Sequence, residues 1–138
     1  MLYSSYGPTL REWIALIQQD AIQAEQILIS IKVRNKQLGL MADPSLQMSI
    51  EDYQRAQDLL SQATHDPQKA KFVAVAARLG QALMRPAPDR DGWLVLIADD
   101  PTFAQQLYGA LQAKCARFGA QTPSEIIESI NAYHTVKA

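Results

Sequence analysis

The chain has 138 residues, a core-forming fraction of 48% and a charged fraction of 20%, with 13 Lys and Arg against 14 Asp and Glu for a formal net charge of -1. This composition excludes intrinsic disorder and fits one domain spanning residues 1–138. The near-neutral balance gives no global field toward nucleic acid or an anionic membrane.

One cysteine permits no internal disulfide and suits a reducing cytoplasm. Met1 to Leu10 carry no basic run followed by an apolar stretch, and no window approaches the about 18 apolar residues of a membrane span. A cytoplasmic, non-membrane protein is expected.

Glycine (6) and proline (7) are sparse, as in a mainly helical chain. From Pro8, the positions Leu10, Ile14, Ile17, Ala21, Ala24, Leu28 and Ile31 recur at intervals of three and four. This spacing predicts one long N-terminal helix reaching about Leu38, with Gly39 as its stop. Lys32, Arg34 and Lys36 place positive charge near its C-terminal end.

Ser49 followed by Asp52 predicts a second start, with Tyr53, Ala56, Leu60 and Ala63 on one face. Asp66 and Pro67 form an N-cap and first-turn pair. The segment from Lys69 to Met84 is apolar on most sides, which predicts a central helix. Arg85 to Gly92 reads as a loop. Pro101 opens a helix bearing Phe103, Leu107, Leu111, Cys115 and Phe118, ended by Gly119, and Thr122, Pro123 and Glu125 open the last helix. No internal repeat and no low-complexity tract is apparent.

These signals predict a mainly α fold, a bundle of about five helices. An α+β alternative arises because residues 27–33 alternate and 93–98 form a short apolar run, so the two could pair as a small sheet.

Catalytic signatures are absent: there is no GxSxG, Gly-rich phosphate loop, HExxH or CxxC. No cofactor and no metal is expected. Asp89, Asp91, Asp99 and Asp100 could suggest an ion site, but turn and cap roles describe them better. His65 and His134 are the two histidines, and each reads as structural or solvent-facing. Cys115 shares an apolar helix face, which favours an inert thiol. Gln18, Gln19, Gln23 and Gln26 read as ordinary surface or as a polar rim for a partner.

Apolar surplus is the most informative feature. Trp13, Leu16, Ile27 and Ile29 lie off the main stripe, and residues 38–48 (LGLMADPSLQM) place five large apolar side chains in an expected loop. Such surfaces bind partner helices or extended segments. The expectation is a non-enzymatic interaction module, a chaperone-like adaptor or assembly factor, with Trp13, Ile27, Leu40, Met41 and Leu46 as anchors and Arg34 and Lys36 at the rim. The partner is a segment of a larger protein complex, with no nucleic acid or membrane. A homodimer or structural homo-oligomer uses the same patches, and a small-molecule or metal sensor requires the α+β fold.

Overall fold

The computed structural model describes residues 7–41 and 44–137. Seven α-helices run through them: α1 Leu10–Gln19, α2 Ala21–Leu38, α3 Pro44–Ala63, α4 Pro67–Leu83, α5 Arg90–Asp99, α6 Pro101–Phe118 and α7 Ser124–Lys137. Short 3₁₀ turns at Gly39–Met41 and Gly119–Gln121 follow α2 and α6. The mainly α expectation holds, with more helices than the five expected. Among the described residues there is no strand: 27–33 lie in α2 and 93–98 in α5, which removes the small sheet and the sensor built on it.

Contacts gather into two compact units, residues 1–81 and 82–138, where length and composition favoured a single domain. In the first, α1 packs between α2 and α3; in the second, α5 packs between α6 and α7.

The two units are built on one plan. A shift of 80 positions, from Trp13 to Trp93, also matches Pro8 with Pro88, Leu16 with Leu96, Asp20 with Asp100, Ala24 with Ala104, Gly39 with Gly119, Ser49 with Ser129 and Tyr53 with Tyr133. The expectation of no internal repeat is therefore corrected. The conserved residues are widely spaced and each fixes a different feature, so hydropathy alone does not expose the period.

Asp20 and Asp100 make the same corner. Asp20 has φ -159° and ψ 95°, donates its N–H to the Leu16 carbonyl at 2.8 Å, and accepts from the Gln23 N–H at 3.1 Å. Asp100 has φ -150° and ψ 85°, with the equivalent bonds to Leu96 and Phe103 at 2.8 and 3.0 Å. An extended residue whose carboxylate caps the next helix ends one helix and begins another. The long N-terminal helix is accordingly two helices.

Gly39 and Gly119 both take φ 56° beyond the ends of α2 and α6, a region that side chains disfavour. One expected helix start and one expected cap are corrected here. Ser49 lies inside α3, which begins at Pro44. The Thr122 hydroxyl donates to the Gly119 carbonyl at 2.7 Å and to that of Cys115 at 3.3 Å, so it satisfies the end of α6 and does not cap α7. Asp66 does cap α4, accepting from the Gln68 and Lys69 N–H groups.

The α4 helix buries Val73, Ala76, Ala77 and Leu79 but leaves Phe72 and Val75 exposed, so it is not the central helix its composition predicts. Gly80 permits its approach to α1. A Cβ at that position would collide with the Arg11 carbonyl and lie 3.1 Å from the Ala15 Cβ.

Candidate functional site

Each unit is fastened by one side-chain lock. The Trp13 Nε1–H donates to the Ser49 carbonyl at 2.8 Å and to Ser49 Oγ at 3.1 Å, and the Ser49 hydroxyl donates to the Pro8 carbonyl at 2.7 Å. Trp93, Ser129 and Pro88 repeat these bonds at 2.8, 3.1 and 2.6 Å. Tyr53 meets Trp13 edge-on at 4.9 Å, and Tyr133 meets Trp93 at the same distance. A buried indole needs an acceptor, and the serine supplies one while tying the residue before the first helix to the third helix.

Trp13 is thus a wholly buried core residue and not a surplus side chain. Leu46 is also wholly buried. Neither is accessible as a partner anchor in this conformation, which corrects both assignments. Ile27 is half-buried, Leu40 is fully exposed, and Arg34 and Lys36 are exposed. The Met41 side chain lies outside the described residues. The groove expected from these residues is therefore not assembled: two of its anchors face the interior while Leu40 faces outward.

Exposed apolar surface is present elsewhere on α2. Ala24, Leu28 and Ile31 form its buried face, whereas Ile22, Ile29 and Val33 are exposed. At about 100° per residue the exposed three fall on one line opposite the buried three. Glu25, Lys32 and Lys36 follow one flank of that line, and Arg34 lies about a third of a turn from it. The corresponding positions in α6 are Thr102, Gly109 and Ala113, so the same three-helix unit forms without large apolar groups there. The signal available in the sequence is the spacing of Ile22, Ile29 and Val33, set against their small or polar counterparts.

No family profile, curated protein or solved structure matches the chain.

The remaining candidates do not converge. Asp89 caps α5 by accepting from the Gly92 N–H at 2.8 Å, and Asp100 caps α6, so these carboxylates sit at opposite ends of a helix about 15 Å long. Among the described residues no group of three or more His, Cys, Asp or Glu side chains is placed to hold a metal ion. His65 is exposed in the turn before α4. His134 Nε2 lies 2.7 Å from the Tyr108 hydroxyl, which also accepts from Gln112 at 2.9 Å, and Tyr108 stacks on Tyr133 at 4.1 Å. Cys115 is a half-buried free thiol. An open hollow of about 200 Å³ on the second unit is lined by Ile97, Pro101, Thr102, Gln105, Tyr133 and Lys137, without a nucleophile and base in contact. In the first unit, burial and the nearby Glu25 carboxylate both push the Tyr53 phenol above its ordinary pKa.

Proposed function

We propose that the protein is a non-enzymatic, cytoplasmic interaction module, a chaperone-like adaptor or assembly factor that engages an amphipathic or extended segment of a larger protein complex. The single observation carrying this reading is the exposed line Ile22, Ile29 and Val33 on a helix whose opposite face already fills the core. Leu40 lies beyond its C-terminal end. Solvent-facing β-branched residues in one line gain little from folding and much from being covered. The second unit supports this, since it reaches the same fold with Thr102, Gly109 and Ala113 at those positions. Lys36 supplies a polar rim, and the single cysteine in the chain suits a reducing compartment.

The test uses the full chain and an Ile29→Asp/Val33→Asp variant as paired baits in extract from the source cell, with cross-links mapped by mass spectrometry. Loss from the variant of a stoichiometric partner whose cross-links fall on α2 is the expected result. Identical recovery by both baits rejects the reading.

A second reading, a homo-oligomer joined through the same line, is favoured by charge order. Glu25 precedes Lys32 and Lys36 on one flank, so two antiparallel copies would set acid against base. Sedimentation distinguishes it by a mass above that of one chain with no partner added.

A further inference from the structure

The two units share a fold but differ around one buried phenol. In the first, the Tyr53 hydroxyl accepts from Gln57 Nε2 at 3.0 Å, and the Glu25 carboxylate is close enough to raise its pKa. The shift of 80 positions carries Tyr53, Gln57 and Glu25 to Tyr133, Lys137 and Gln105, and all three line the hollow of about 200 Å³. Tyr133 is 8% exposed, with Trp93 edge-on at 4.9 Å and Tyr108 stacked on it at 4.1 Å, so its ring is held in place. Among the described residues nothing hydrogen-bonds its hydroxyl, and Lys137 makes no ion pair.

A buried phenol ordinarily finds a partner. Here the residue that supplies one in the first unit is replaced by a cation. Exchanging Glu25 for Gln105 removes a negative charge from the lining, and exchanging Gln57 for Lys137 adds a positive one. The Tyr133 and Thr102 hydroxyls, the Gln105 amide and the Lys137 ammonium can all donate hydrogen bonds, while Ile97 and Pro101 form an apolar wall. Asp99 and Asp100 lie outside the lining, and Asp100 already caps α6 through the Phe103 N–H, so the donors are side chains and not the helix end.

We propose that this hollow binds a small organic carboxylate, held between the Tyr133 hydroxyl and the Lys137 ammonium with its apolar body against Ile97 and Pro101. A carboxylate accepts charge-assisted hydrogen bonds from both donors and supplies the acceptor that the phenol lacks. The volume falls below the about 300–1,000 Å³ of drug-sized sites, which limits the body to a single ring or a short chain. The hollow is separate from the line on α2, so the inference stands or falls independently of that surface.

Benzoate and hexanoate are the probes, titrated into the full chain and followed by the two indole N–H resonances. Trp93 touches Tyr133, whereas Trp13 belongs to the other unit and serves as the internal reference. A saturable shift of the Trp93 resonance is expected, with the Trp13 resonance unmoved. Binding should weaken by about tenfold or more in Lys137→Gln and in Tyr133→Phe, each of which loses one charge-assisted hydrogen bond. Benzamide, which keeps the ring without the charge, should bind weaker by a similar factor. Because the hydroxyl has no partner among the described residues, Tyr133→Phe should keep the native circular dichroism and urea midpoint, and both are measured. Absence of a saturable shift with either carboxylate overturns the proposal. So does equal binding of benzoate and benzamide, or equal binding of benzoate by wild type and the Lys137→Gln/Tyr133→Phe double variant. Acetate binding as tightly as hexanoate also overturns it, since Ile97 and Pro101 would then contribute nothing.

Discussion

The two serine locks allow one substitution to be made twice in the same molecule. Ser49→Ala removes the hydroxyl that donates to the Pro8 carbonyl, and Pro8 is wholly buried. The Trp13 indole keeps its stronger bond to the Ser49 carbonyl, so the loss falls mainly on an acceptor left dry. A buried carbonyl without a partner costs about 1–3 kcal/mol. Ser129→Ala removes the same bond to Pro88, but that bond is only part-buried and Pro88 is half-buried, not wholly so. Water can reach the freed carbonyl, which reduces the cost to about 1 kcal/mol or less. With a urea dependence on the order of 1 kcal/mol per molar for units this small, Ser49→Ala should lower the midpoint of the first unit by roughly 1–3 M and Ser129→Ala that of the second by less than ~1 M. Each unit contains one tryptophan, so the two indole N–H resonances report the two units separately during a urea titration. An equal or larger loss from Ser129→Ala would refute the argument that burial of the accepted carbonyl sets the cost.

Two glycine substitutions should act in opposite directions. Gly80→Ala forces a methyl against the Arg11 backbone, which cannot swing aside, and should destabilise the first unit by about 1–3 kcal/mol. Gly109→Ala, in α6 with nothing within 4 Å of the added carbon, should stabilise the second by about 0.5–1 kcal/mol, both read from thermal or urea unfolding. Tyr53 is raised above the ordinary phenol value, first by burial and then by Glu25. The protonated phenol is therefore favoured by folding, and its contribution is complete below the unfolded phenol pKa of about 10 and lost as pH climbs through the folded value. Alkaline titration of the first unit should show it as a stability loss, and Glu25→Gln should move the phenolate absorbance to lower pH. An unchanged titration would exclude the carboxylate as a cause.

Much of the helical plan was legible in the sequence, and the misreadings share a cause. The Asp100 and Pro101 pair marks a helix start plainly because proline fixes the first turn. The same corner at Asp20 is followed by alanine, so the apolar spacing runs through it unbroken and suggests one long helix. That error also displaced Trp13. On a long helix it lies off the stripe, whereas on a ten-residue helix packed between two others almost every side is interior. Ser49 resembles an N-cap because a hydroxyl three residues before an acid has that pattern, yet its role depends on Pro8, 41 positions away. The alternation of Ile27, Ile29, Ile31 and Val33 imitates a strand because α2 is apolar on opposite faces, and no local rule separates the two cases. Leu40, by contrast, was legible as an exposed apolar side chain because it follows a helix stop at Gly39.

The shared hydroxyl in each lock has a dynamic corollary. It grips the chain ahead of the first helix and the indole within that helix at once, so releasing either end loosens the other. A half therefore opens as a latch does, in one motion, and the drier latch should stay shut longer than the wetter one. The C-terminal unit should therefore loosen under conditions that leave the N-terminal unit untouched.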